Sequence, residues 1–120
     1  MIERKLNKAF AGYHMLHLLA AVDGTFTIEE DLVIRLYMVE NFPLNFSLDN
    51  EIEILSALAP EDYILHFEKC MNDFYEDSTV KERNHFMDFA VKLAKADNVL
   101  SDSENIFLKT LFDMWDNQPY

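Results

Sequence analysis

A chain of 120 residues, half of them apolar and with ten Phe and five Tyr, is long enough to bury one core without disulfides or a structural metal, which excludes a disordered polypeptide. Twenty-two acidic against ten basic residues leave a net charge of -12, a surface that repels phosphate backbones and argues against nucleic-acid binding. Cys70 stands alone, which excludes an internal disulfide and a cysteine cluster for zinc.

The N-terminus resembles a signal peptide, because Arg4, Lys5 and Lys8 precede an apolar run ending at Leu18–Val22. Tyr13, His14 and His17 interrupt that run, and Glu3 sits within the basic region, so it reads as an amphipathic helix of the mature protein. Ile2, Leu6, Phe10, Tyr13, Leu16 and Ala20 recur at three- and four-residue spacing and form its expected apolar face. Asp23-Gly24 closes this helix, with Gly24 free to take a left-handed backbone. Thr27-x-x-Glu30 is a capping box for the second helix, whose expected inward residues are Leu32, Val33, Leu36 and either Tyr37 or Val39.

Asn41-Phe42-Pro43 stops the second helix, and a short connector runs to Phe46. Ser47 to Glu51 opens a third helix with Ile52, Leu55 and Leu58 as its buried stripe. Pro60 suits the first turn of a fourth, which carries Tyr63, Ile64, Phe67, Met71 and Phe74 inward. Between Phe67 and Met71, Cys70 fits a small apolar residue at or near the core. Ser78 or Asp77 is expected to cap a fifth helix that buries Phe86, Phe89, Ala90, Leu93 and Ala94. Asp97-Asn98 is the next turn, and Ser101-x-x-Glu104 caps a sixth helix. That helix is expected to bury Ile106, Phe107 or Leu108, Leu111, Phe112 and Trp115, with 117–120 as a frayed tail. No β-alternation competes. The expected fold is all-α, a single-domain bundle of about six helices over residues 1–116.

Two of these corners repeat. Leu19 to Glu30 recurs 74 residues later as Leu93 to Glu104, aligning Asp23 with Asp97, Gly24 with Asn98, Thr27 with Ser101 and Glu30 with Glu104. The chain thus contains two pseudo-repeated helix–acidic turn–helix units. An EF-hand does not fit: counted from Asp23, the sixth position is Ile28 and the twelfth Ile34, where glycine and glutamate are required. Counted from Asp97, the third position is Val99 and the twelfth Leu108. Capping explains Thr27, Glu30, Ser101 and Glu104. It does not explain an aspartate at the end of each preceding helix, where the macrodipole disfavours negative charge.

The doublet Ala21-Val-Asp23-Gly24-Thr-Phe26-Thr-Ile-Glu-Glu30 and Ala96-Asp97-Asn98-Val-Leu100-Ser-Asp-Ser-Glu104 resembles the TerB-like tellurite-resistance family, which has relatives among the domains of membrane-anchored J-domain co-chaperones. The resemblance spans nearly the whole chain. It implies an all-helical domain whose paired acidic motifs lie close together and bind metal, which makes Asp23, Glu30, Asp97 and Glu104 the candidate cation-site or partner-contact residues. It also implies a part in bacterial stress response through protein complexes rather than catalysis. Asn98 departs from the glycine of the pattern.

Other constellations are weaker. Glu82-x-x-His85 has the spacing of a di-iron bundle enzyme, but no second such pair accompanies it, so a solvated helix face is the simpler reading. His14 and His17 share a helix face and suit a metal with a neighbouring carboxylate, although no metalloprotease signature accompanies them and partly buried or exposed structural histidines are the simpler reading. With two glycines in the chain, glycine-rich phosphate cradles are excluded. Phe42, Phe46 and Trp115 are candidates for a partner-facing patch. The expectation is a cytoplasmic, non-catalytic binding module with protein partners and no membrane span. The sequence assigns no cofactor beyond a divalent cation at the acidic turns. The alternatives are a metal-dependent enzyme built on Glu82 and His85, or a structural adaptor.

Overall fold

The helix signals become six α-helices in the computed structural model, which describes residues 7–21, 28–42, 49–94 and 102–116. They are α1 (Lys8–Ala21), α2 (Ile28–Asn41), α3 (Asp49–Ser56), α4 (Tyr63–Asp77), α5 (Val80–Ala94) and α6 (Asp102–Asp116). A single 3-10 turn at Pro60–Asp62 leads into α4, with Pro60 at its start as its missing amide allows. No strand occurs among the described residues.

The architecture is set by α1. It packs most extensively on α4 and touches α2, α3, α5 and α6 as well, while α6 also packs on α4 and α5. Every residue from Ala11 to Ala20 is buried, so α1 has no solvent face. This corrects the expectation of an amphipathic helix with one apolar stripe. A helix surrounded by neighbours must be buried all round, and its polar residues are buried with it. Tyr13, His14 and His17 therefore sit inside the bundle. Ile2 and Leu6 lie outside the described residues.

Small residues make the central position feasible. Ala9, Ala11, Gly12 and Ala20 let the surrounding helices approach α1 closely. A Cβ at Gly12 would stand 3.2 Å from Met38 Cε, 3.2 Å from Phe86 Cε2 and 3.3 Å from Phe74 Cε2. Those rings belong to an aromatic cluster: Phe74 lies 4.7 Å from Phe86, is stacked at 5.3 Å on Trp115, and meets the edge of Phe42 at 5.8 Å. Phe42 and Trp115 are thus core residues rather than a partner-facing patch, and Phe46 lies outside the described residues. Both rings pack against Phe74, a contact that a count of flanking polar residues does not reveal.

The inward face of α2 also differs from expectation. Ile34, Tyr37 and Met38 are buried, whereas Leu32, Val33, Leu36 and Val39 are exposed. Apolar residues surround this helix on most sides, so periodicity allows more than one stripe. Tyr37 decides between them by stacking on Phe89 at 3.9 Å, which turns the Leu32–Leu36 side to solvent. In α6, Phe107, Leu108, Leu111 and Trp115 are buried and Ile106 is exposed, another correction of the same kind. In α3, α4 and α5 the expected inward residues are buried or packed against the core, apart from Ala94, whose side chain is outside the described set.

Helix ends follow from local chemistry. Asn7 Oδ1 accepts from the Phe10 amide at 2.8 Å and caps α1. Thr79, not Ser78 or Asp77, caps α5: its hydroxyl accepts from the Glu82 amide at 3.1 Å while Glu82 accepts from the Thr79 amide at 2.9 Å. Arg83 Nη1 donates to the carbonyls of Tyr75 and Ser78 at 3.1 and 2.8 Å, closing the end of α4.

Candidate functional site

The two acidic corners occupy equivalent positions between helices. α1 ends at Ala21 and α2 begins at Ile28; α5 ends at Ala94 and α6 begins at Asp102. The starts of α2 and α6 are 74 positions apart, the offset of the sequence repeat. Asp23, Gly24, Thr27, Asp97, Asn98 and Ser101 lie outside the described residues. Glu30 is half-buried in the first turn of α2, and Glu104 lies in the first turn of α6 with its side chain outside the described set. Next to Glu30, Asp31 ties the start of α2 to α1: Tyr13 donates its hydroxyl to Oδ1 at 2.7 Å, and Arg35 Nε donates to Oδ2 at 2.8 Å. Burial, reinforced by Asp31, pushes the Tyr13 phenol well above its ordinary range.

Glu82 is half-buried and His85 exposed, and each has partners within the bundle. Glu82 completes the α5 capping box and receives the Lys8 ammonium at 2.7 Å. Its carboxyl is held below the usual range by hydrogen bonds from Lys8 and Thr79, which outweigh the opposing effect of burial. His85 lies over Tyr37 at 5.7 Å, with Nδ1 3.2 Å from the Tyr37 hydroxyl. His85 and Tyr37 border an open cleft between α2 and α5, about 430 Å³ in volume, lined also by Val33, Leu36 and Phe89 among others.

The most unusual chemistry is inside the bundle. His14 on α1 places Nε2 2.8 Å from Glu51 Oε1 on α3, and Nδ1 2.8 Å from His66 Nε2 on α4. His66 Nε2 is in turn 3.4 Å from Cys70 Sγ, one helical turn further along α4. His14 and Cys70 are fully buried, while Glu51 and His66 expose 3 % and 6 %. Four polar side chains from three helices thus form one continuous chain in an apolar interior. Because carboxylates only accept, His14 carries its proton on Nε2 toward Glu51. Burial, with further contributions from His14 and Lys69, holds the His66 imidazole down to about 4. Burial also pushes the Cys70 thiol up to about 12.

His17, one turn beyond His14, does not join this chain. Its ring meets the edge of Tyr13 at 5.9 Å, and burial lowers it to about 4 against a partial rise from Asp31. The pairing of His14 and His17 on one face is therefore replaced by a pairing of His14 with His66 across two helices. His66 and Glu51 were not singled out from sequence. The available signals were the one-turn spacing of His66 and Cys70, and the position of Glu51 in line with Leu55 and Leu58 on the buried stripe of α3. No helix among the described residues is long and apolar enough to cross a membrane. No family model, curated protein or solved structure matches the chain.

Proposed function

We propose that this protein is a non-catalytic, cytoplasmic binding module of the TerB-like kind, acting in bacterial stress response through a cation or protein contact at its two acidic corners. The observation that carries the reading is the coincidence of repeat and fold. α2 and α6 begin at positions that the repeated acidic motif aligns, and the preceding helices α1 and α5 pack against each other. Asp23 and Asp97 follow the C-terminal ends of α1 and α5 in sequence, where the macrodipole disfavours negative charge, so an acid at both aligned corners favours a positively charged ligand over a purely structural role. The net charge of -12 suits a cation or a basic partner.

The outer face of α2 adds support for a protein contact. Ile28, Leu32, Val33, Leu36 and Val39 are all exposed on this helix, which starts at the first acidic corner. Apolar surface gathered on one helix next to acidic residues favours a partner that presents apolar side chains flanked by basic ones.

Calorimetric titration of the metal-free protein with Ca2+, Mg2+ and Mn2+ tests the cation form. Saturable binding that disappears in Asp23→Asn/Asp97→Asn, with an unchanged far-ultraviolet circular dichroism spectrum, is the expected result. Binding that survives the double substitution would remove the corners as the site.

A further inference from the structure

We propose that His14, His66 and Cys70 form a buried zinc site, with Glu51 orienting His14 from behind. Among the described residues, these three form a group of metal-ligating side chains whose donor atoms all lie within 4.8 Å of one another. Their chemistry is that of a zinc ligand set: two imidazole nitrogens and one sulfur. The site is separate from the acidic corners, whose carboxylates would favour hard cations, and it stands or falls independently of them.

The proton arrangement at His14 is already that of a metal ligand. The His14–Glu51 hydrogen bond keeps the His14 proton on Nε2 and turns the Nδ1 lone pair toward His66 and Cys70. A carboxylate behind a ligating histidine fixes its tautomer and ring orientation in the same way in protein zinc sites. Two of the three donor separations need little movement, and the third, between His14 and Cys70, lies within 4.8 Å. Bond lengths of about 2.0–2.1 Å to nitrogen and about 2.3 Å to sulfur imply tetrahedral edges of about 3.3 Å between nitrogens and about 3.6 Å between nitrogen and sulfur. The 2.8 Å His14–His66 separation opens by about half an ångström. The 3.4 Å separation of His66 and Cys70 opens by about a fifth of an ångström.

Charge selects the ion. Zinc displaces the Cys70 thiol proton to solvent, and the His66 proton moves to its other ring nitrogen. Zn2+, one thiolate and the Glu51 carboxylate then sum to zero, which matters where every group is at least nine-tenths buried. A monovalent soft ion such as Cu+ leaves one negative charge uncompensated in that interior.

The test strips the full-length protein with chelator and titrates it with zinc against a competing dye, then with cobalt as a spectroscopic probe. Expected are one zinc per chain, bound at least a hundredfold more weakly by Cys70→Ser, and a thiolate-to-cobalt charge-transfer band. Cys70 is the only cysteine, so that band has one source even if a substituted protein fails to fold. Glu51→Gln weakens zinc about 10–100-fold while the fold, read by circular dichroism, persists. Asp23→Asn/Asp97→Asn leaves zinc binding unchanged. Absence of saturable zinc binding, a cobalt complex without the thiolate band, or binding of Cu+ but not zinc would each overturn the assignment.

Discussion

Replacing Gly12 with alanine sets two effects of known size against each other. Alanine is the better helix former by about 1 kcal/mol, so on propensity alone the substitution stabilises α1. The added methyl, however, lands 3.2–3.3 Å from three side chains contributed by α2, α4 and α5. The Met38 tip is flexible and yields at low cost. Phe74 and Phe86 are fully buried and held against each other and against Trp115, so they yield only by moving the cluster. Overpacking of this kind costs about 1–3 kcal/mol, which leaves a net destabilisation of about 1 kcal/mol. Trp115, the sole tryptophan and a member of the cluster, reports unfolding by its fluorescence. With a urea slope of about 1–3 kcal/mol/M, the midpoint falls by about half a molar at unchanged slope. A midpoint equal to or above that of the wild type would refute the claim that three helices close on α1 at Gly12.

Three further outcomes follow from the packing. His17 is lowered to about 4 from an ordinary 6.5 by burial, so the unfolded chain takes up a proton first as pH falls. Its contribution is intact above about pH 6.5 and declines by about 3 kcal/mol on approaching pH 4; urea midpoints across that range should fall less steeply in His17→Asn, and an identical slope would contradict the assignment. Thr79→Ala removes the hydroxyl half of the α5 capping box and should cost about 1 kcal/mol by the same unfolding assay. Leu36→Ser, on the exposed side of α2, should change stability by less than about 0.5 kcal/mol, whereas Ile34→Ala two positions away should cost about 2–5 kcal/mol. Equal losses at the two positions would mean that α2 is rotated about its axis.

Much of the fold was legible because helix boundaries are written in local chemistry. Pro60 marks the turn before α4, and the 74-residue repeat anticipates the aligned starts of α2 and α6. The errors fall where local rules allow several answers. Around Thr79 three adjacent residues all suit a cap, and only the reciprocal bonds with Glu82 choose among them. On α2 the apolar residues exceed what one face accommodates, and the stacking of Tyr37 on Phe89 chooses the stripe.

The buried polar chain was only partly legible for a related reason. His14 and Cys70 attracted attention as residue types, but Glu51 and His66 gain significance from partners 37 and 52 positions from them in sequence. No periodicity encodes such a meeting. By itself, the sequence determined that the chain is all-helical, where most helices begin and end, and that two acidic corners repeat. Those properties depend on backbone preferences and capping within a few residues. Only the tertiary structure decided that α1 is the central helix, because burial on all sides is a property of its neighbours. That placement carries His14 into the interior, brings His66, Cys70 and Glu51 to it, and leaves the Leu32–Val39 side of α2 facing outward.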